Sequence, residues 1–160
     1  IIKGKVIRKI KGFYYVLEEN SSSLKDEYIH ECKLRGSLKV KNNKLNCIIG
    51  DIVEFDENEK VITSIEKRKN FLYRPLLANI DFIGILFSVA APKFDFIAFQ
   101  KMLLNSGWQN IPVILIISKI DLVSQNEMEM FLGELKNIFK DSFPIFPISS
   151  EKAEGLENLR

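Results

Sequence analysis

A lysine and a carboxylate two residues apart, Lys119 and Asp121, close the tetrapeptide Ser118-Lys119-Ile120-Asp121 directly after the apolar run Val113 to Ile117. Open α/β sheets bind ligands at the carboxyl ends of their strands, so this position matters as much as the residue types. A carboxylate there can accept two hydrogen bonds, from the N1–H and the exocyclic N2 amine of guanine. Adenine presents an acceptor at N1 and has no N2 amine, so Asp121 is expected to select guanine. Such a site rejects the wrong base because mispairing leaves buried polar groups unsatisfied. Lys119 is expected to lay its alkyl stem along the base plane. Taken alone, Lys-x-Asp is equally a common surface turn in which Asp121 caps the following helix. A second strand end bears on that choice: Ile148-Ser149-Ser150 closes the next predicted strand, one helix later, where a backbone N–H can meet guanine O6. Ser149 and Ser150 are then expected to close over the base.

The elements that hold these residues follow from hydrophobic periodicity. From Gly4 to Arg68 the pattern has period two with turn-like breaks: Lys5 to Ile10, a Lys11-Gly12 turn, Phe13 to Leu17, a polar stretch Asn20 to Ser23, then strands around Tyr28 to Leu34, Ile52 to Phe55 and Val61 to Ile65. Five short strands predict a small barrel of the oligonucleotide-binding type, with an SH3-like barrel as the alternative. Beyond Pro75, apolar strands alternate with amphipathic helices. Phe82 to Val89, Val113 to Ile117 and Pro144 to Ile148 read as buried parallel strands. The first crossover helix is capped by Asp95, turns Phe96, Phe99, Met102 and Leu103 inward, and ends at Gly107 as a left-handed cap residue. The second opens with a Ser124/Glu127 capping box and buries Met128, Phe131, Leu132, Leu135, Ile138 and Phe139. The fold class is therefore β followed by α/β. Residues 1–70 are expected to form the barrel and 71–160 an α/β segment, which the resemblance described below implies is the first, base-recognising half of a larger domain.

The 160 residues are 46% hydrophobic and 11% aromatic, enough for a real core. The longest apolar run, Phe82 to Ala91, is about half of the roughly 20 residues a membrane helix needs, and no secretory signal pattern opens the chain. A cytoplasmic protein with no membrane partner is expected, acting as a monomer. The chain opens at Ile1, not methionine, which fits a trimmed chain better than a complete one. Cys32, Cys47 and the single His30 lack metal-ligand spacing, so two reduced, partly buried thiols and a surface or edge-strand histidine are expected.

Charge is unevenly placed. Up to Pro75 there are 16 Lys/Arg against 11 Asp/Glu, and beyond it 7 against 10, so the front carries +5 and the back −3 of a net +2. That asymmetry points the barrel toward a polyanion. Lys3, Lys5, Arg8, Lys9 and Lys11 on the first strand and turn, with Lys33, Arg35, Lys39, Lys41 and Lys44 around the third, can contact phosphates, and Phe13, Tyr14 and Tyr15 can offer a stacking face. The other reading makes the lysines a solvated barrel face and the aromatics its core.

The pair of strand-end motifs resembles the base-recognition half of GTPases, N-K-x-D followed by a short serine-alanine segment. Ser118 stands here for Asn, and Ser150 for Ala. No phosphate loop of the form G-x-x-x-x-G-K-S/T precedes Ser118, so the resemblance implies a circularly permuted P-loop GTPase domain with that loop after Arg160. The barrel with Lys33-Leu34-Arg35-Gly36 and Gly50-Asp51-Ile52-Val53, the Arg68-Lys69-Asn70 to Arg74-Pro75 linker, Ala78-Asn79-Ile80-Asp81 and Lys119-Ile120-Asp121-Leu122 occur in an order similar to the ribosome small-subunit-dependent GTPase A (RsgA) family. The resemblance spans nearly the whole chain. It implies a factor for late small-subunit assembly that binds GTP or GDP at Ser118, Lys119, Ile120, Asp121, Ser149 and Ser150, and ribosomal RNA through Lys9, Lys11, Lys33, Arg35, Lys39, Lys41 and Lys44. It also implies Mg²⁺ and a structural Zn²⁺ whose ligands lie outside these residues. Without the phosphate loop, the 160 residues alone are expected not to hydrolyse GTP. The alternatives are a non-enzymatic RNA-binding module with an α/β partner-binding segment, and an α/β enzyme using another nucleotide or cofactor.

Overall fold

The computed structural model describes residues 1–21, 25–39, 46–107 and 110–159, which fall into two compact units, Ile1–Ile80 and Asp81–Arg160. Lys41 and Lys44 of the expected phosphate-contacting set, and Ser22 and Ser23 of the polar stretch, lie outside the described residues.

The first unit is built on β1 (Ile2–Ile10), β2 (Phe13–Glu18), β3 (Ile29–Leu34), β4 (Ile52–Asp56) and β5 (Val61–Ile65), closed in the order β1-β2-β3-β5-β4. Lys11 and Gly12 both adopt positive φ, 48° and 89°, which matches the twist of a tight hairpin between β1 and β2. β1 pairs with β2 and also with β4, and a register shift between Val6 and Arg8 helps the strand bend between them. β3 lies parallel to β5, with Lys33 opposite Val61. A fifth strand inserted between the third and fourth is the oligonucleotide-binding arrangement, which settles the barrel type.

Alternation explains the core. Val6, Tyr14, Val16, Cys32, Leu34, Val53, Phe55 and Ile62 point inward and are buried, while their neighbours along each strand face outward. The expected single stacking face of Phe13, Tyr14 and Tyr15 does not form. Period two sends Tyr14 into the core and leaves Phe13 and Tyr15 half-buried on the outside. Both thiols are free and buried, and burial pushes Cys32 up to about 11 and Cys47 to about 12. His30 sits half-buried in β3, its Nε2 2.6 Å from Glu18 Oε1 and its ring 4.9 Å from that of Phe55.

The segment read as a linker is folded. β6 (Phe71–Tyr73) and β7 (Leu76–Ala78) form a short antiparallel hairpin across the cis Arg74-Pro75 bond. Its foot is tied to the barrel by Asp51, which is fully buried. Arg68 donates from Nε to Oδ1 (2.6 Å) and from Nη2 to Oδ2 (2.7 Å), and the Ile48 N–H donates to Oδ2 (2.8 Å). Gly50 makes this approach possible. It has φ 93°, and a Cβ there would lie 2.1 Å from the Ala78 carbonyl oxygen.

The second unit contains β8 (Ile83–Ser88), α1 (Phe96–Gly107), β9 (Val113–Ser118), α2 (Gln125–Phe139) and β10 (Ile145–Pro147), with the strands parallel in the order β10-β9-β8. Ile85, Leu115 and Ile117 from the sheet bury against Phe99 and Leu135 from the helices, and Phe94 joins them from the loop before α1. Asp95 Oδ1 accepts the Ala98 N–H at α1, and Ser124 and Glu127 complete their capping box at α2. Four expectations fail. β8 starts at Ile83 and is not buried on both faces, since Phe82 and Leu86 are more than half exposed. Met102 and Ile138 are about half exposed, at the margins of the apolar stripes where the stripe width cannot be read from spacing. Gly107 is the last helical residue without positive φ. The left-handed position falls instead at Asn110 (φ 52°), whose N–H bonds to the Gly107 carbonyl. Among the described residues no helix is long and apolar enough to cross a membrane.

Candidate functional site

The carboxyl ends of β8, β9 and β10 bring the two strand-end motifs together. β9 runs to Ser118, where Lys119 turns into the left-handed region (φ 61°, ψ 37°) and starts a single 3₁₀ turn, Ile120–Leu122, ahead of α2. That reversal puts Asp121 beside the end of β10. Ser149, fully buried, donates its hydroxyl to Asp121 Oδ1 at 2.6 Å and accepts the Lys152 N–H at 3.1 Å. Backbone bonds fix the same corner: Ile148 N–H to the Ile117 carbonyl, Ile120 N–H to the Ile148 carbonyl, and a reciprocal pair between Ser149 and Glu154. The hydrogen bond from Ser149 holds the Asp121 carboxyl below its ordinary range, with smaller help from its own backbone N–H and from Lys152 and Lys119. Asp121 is thus an anion near neutral pH.

Ser118, Lys119, Asp121 and Ser150, with Leu86, Leu122 and Glu151, line an open pocket of about 540 Å³. Of the six expected base-contacting residues, these four face one space. Ile120 packs toward the core, and Ser149 holds Asp121 from behind without lining the pocket. Ser118 donates its hydroxyl to the Phe87 carbonyl at 3.1 Å, lacing β9 to β8. The Lys119 ammonium donates to the Ala91 carbonyl, which draws its stem across the strand ends. Sequence reasoning missed Leu86, Glu151 and the Ala91 carbonyl. The strand-end rule that found Ser118 could have pointed to the end of β8, but a backbone acceptor leaves no residue-type signal.

The pocket suits a flat, polar, donor-bearing ring. An anionic carboxylate, the Lys119 side chain and the apolar Leu86 and Leu122 all line it. Among the described residues, no three or more His, Cys, Asp or Glu side chains are placed to hold a metal ion.

On the barrel, the expected cations among the described residues lie on β1 and β3, in the turn after β1 and in the segment that follows β3. Arg8 stacks 3.9 Å from the centroid of Tyr15, whose hydroxyl donates to Glu31 at 2.7 Å, and Lys33 sits 5.1 Å over Phe13. Lys9 donates to the Cys47 carbonyl (2.9 Å), and Arg35 lies 3.9 Å from Glu59. Lys11 and Lys39 are exposed. Lys3 is committed to Glu66 (2.8 Å) and Glu19 (3.5 Å).

Comparison with known proteins agrees with both units. The family model described as RsgA N-terminal domain matches residues 3–65, and that described as RsgA GTPase matches residues 65–160. The curated protein "Small ribosomal subunit biogenesis GTPase RsgA" of Fusobacterium nucleatum is 40% identical over 154 residues, covering 96% of this chain and 51% of that protein. Its namesake in Alkaliphilus metalliredigens is 36% identical over 162 residues, covering 98% and 51%. The chain therefore spans about half the length of the curated relatives it matches. Among solved structures, YjeQ from Thermotoga maritima superposes with a TM-score of 0.80 at 27% identity, and YloQ, described as a circularly permuted GTPase, with 0.74 at 27%. Each match covers 99% of this chain and 55% of the other.

Proposed function

The chain belongs to the RsgA GTPase family, and from that premise we propose that its second unit is the guanine-recognising half of a nucleotide site. The barrel in this reading binds ribosomal RNA of the small subunit. The observation that carries the nucleotide assignment is the anionic Asp121, oriented by the buried Ser149 hydroxyl at the mouth of a pocket shared with Lys119 and Ser150. Asp121 accepts the guanine N1–H and N2 amine, the Lys119 stem lies along the base, and the backbone at Ser150 faces O6. Such a site discriminates by leaving the wrong base unpaired. The domain division at residues 70 and 71 belongs to this same proposal.

Phosphoryl transfer needs a phosphate cradle, a lysine and Mg²⁺. These are expected C-terminal to Arg160 in the full-length protein, as are the ligands of a structural Zn²⁺. The 160 residues then bind the base and do not hydrolyse GTP by themselves, and the complete factor hydrolyses GTP during late assembly of the small subunit, as a cytoplasmic monomer. For the barrel, the support is the run of cations Arg8, Lys9, Lys11, Lys33, Arg35 and Lys39 on β1 to β3 and the loops around them.

The test is Asp121→Asn in the full-length protein, titrated with GDP and with xanthosine diphosphate. Exchanging carboxylate for amide replaces an acceptor with a donor, so preference is expected to move from guanine to xanthine. Unchanged guanine affinity would remove the assignment. RNA binding that persists in a full-length protein without nucleotide affinity would favour the non-enzymatic RNA-binding module.

A further inference from the structure

Lys119 does not reach its position unaided. Its ammonium is held by the carbonyl of Ala91, a residue of the loop that follows β8. The chain leading to that carbonyl is tied down by Ser88, the last residue of β8, which is buried and pairs in register with Ser118. Ser88 Oγ accepts the N–H of Ala90 at 3.3 Å and of Ala91 at 3.1 Å, folding the chain back over its own side chain. The strand end beneath is fixed twice, by the Val89 N–H on the Ser118 carbonyl (3.1 Å) and the Ser118 hydroxyl on the Phe87 carbonyl (3.1 Å). On the far side, Phe94 is buried among the rings of Phe87, Phe96, Phe99 and Phe131, so the loop is anchored at both ends. Without the Ser88 acceptor, the Ala90 and Ala91 N–H groups lose this partner, and the segment that carries the Ala91 carbonyl loses two of its ties.

We propose that Ser88 is a positioning residue of the nucleotide site, acting through the Ala91 carbonyl to hold the Lys119 stem across the base. This rests on the guanine assignment made above. A lysine stem carries several rotatable bonds, and a site that holds one extended before the ligand arrives avoids that ordering cost on binding. Ser88 touches no ligand. Its effect is therefore on affinity for any base that stacks under Lys119, not on the choice between bases, which belongs to Asp121.

The experiment is a binding titration of the full-length protein with GDP and with xanthosine diphosphate, using Ser88→Ala, Ser88→Thr, Lys119→Ala, the Ser88→Ala/Lys119→Ala double variant and Asp121→Asn. Ser88→Ala is expected to weaken GDP binding roughly fivefold, as the loss of about one net hydrogen bond's worth of order, and to leave the guanine-to-xanthine ratio unchanged. Ser88→Thr keeps the hydroxyl and is expected to bind like the parent. In the Lys119→Ala background the Ser88→Ala effect is expected to vanish, because residues acting through one contact are not additive. A Ser88→Ala effect of the same size with Lys119 removed, or no effect at all, would overturn the role. So would loss of binding in Ser88→Ala that Ser88→Thr fails to restore. If Asp121→Asn alters base preference while Ser88→Ala changes nothing, only this inference falls. If Asp121→Asn changes nothing, the guanine assignment falls and this inference with it.

Discussion

The hydroxyl of Ser149 lies 2.6 Å from Asp121 Oδ1, a bond between residues 28 positions apart that joins the end of β10 to the turn after β9. Because Ser149 is fully buried and its oxygen also accepts the Lys152 N–H, the serine has little freedom to rotate away. It is the fixed member of the pair, and Asp121 is the one it aims.

Ser149→Ala is accordingly expected to weaken GDP binding of the full-length protein several-fold without reversing base preference, in contrast to Asp121→Asn. A carboxyl carbon titration followed by NMR should show Asp121 returning upward toward its ordinary 3.8. An Asp121 titration identical to the parent's would show that the hydroxyl contributes nothing to the carboxylate.

Acid stability has a definite sign. Asp121 and Glu127 both titrate below their ordinary values of 3.8 and 4.5, Asp121 chiefly through Ser149 and Glu127 through the Ser124 backbone and hydroxyl. A depressed carboxyl contributes stability that is present above the unfolded value and is lost as pH falls through the folded one. Urea unfolding of the chain at steps below pH 4.5 should therefore show stability falling with pH, and Ser124→Ala should flatten that dependence. Because the variant keeps the Ser124 N–H bond to Glu127, equal slopes would show that the hydroxyl adds nothing to it.

Asp51 and Arg68 form the most buried ion pair described, with the carboxylate fully enclosed and also accepting the Ile48 N–H. Arg68→Met leaves that charge without its partner, and the expected loss is about 3–5 kcal/mol in denaturant unfolding. Asp51→Asn in the same background should recover part of it, since the amide oxygen can still accept from Ile48. A loss below about 1 kcal/mol would mean that water reaches Asp51 more freely than its burial indicates.

Gly50→Ala tests the joint between barrel and hairpin. The left-handed conformation alone costs an L-residue about 1–2 kcal/mol. The approach to the Ala78 carbonyl adds to it, since a Cβ would sit 2.1 Å from that oxygen. Gly12→Ala, in a turn with open space around it, should cost only the conformational part. Equal melting temperatures for the two variants would show that the hairpin moves aside easily.

For the barrel, binding of a small-subunit RNA fragment should weaken linearly in log–log form as salt rises. Lys33→Ala and Arg35→Ala should each reduce the slope by about 0.7–0.9 if each contacts one phosphate. An unchanged slope in both variants would place the RNA surface elsewhere.

Much of this was legible in the chain. The period-two pattern with turn-like breaks from Gly4 to Arg68 located five barrel strands within a few residues, because a half-buried strand satisfies its core with that period. The capping box at Ser124 and the strand ends at Ser118 and Ile148 were readable for a similar reason: their signals are local, carried by neighbouring residue types. The width of each helix's buried stripe was not local, and Met102 and Ile138 came out half exposed. Nor was the hairpin Phe71–Ala78, whose three-residue strands are too short to show a period.

Sequence by itself determined the element types, the order of barrel and α/β segment, and the two residues, Lys119 and Asp121, on which guanine selection is proposed to rest. Tertiary structure decided which strands became neighbours, setting β5 between β3 and β4 and bringing the end of β10 against the turn after β9. It also decided which of the two faces of β2 meets the core, gave Ser149 the buried place behind Asp121 and Ser150 the exposed one, and set the Ala91 carbonyl against Lys119. The physical reason is range. Periodicity and capping act between residues a few positions apart, whereas contacts across 28 residues form only when the apolar faces of separate strands and helices close on one core.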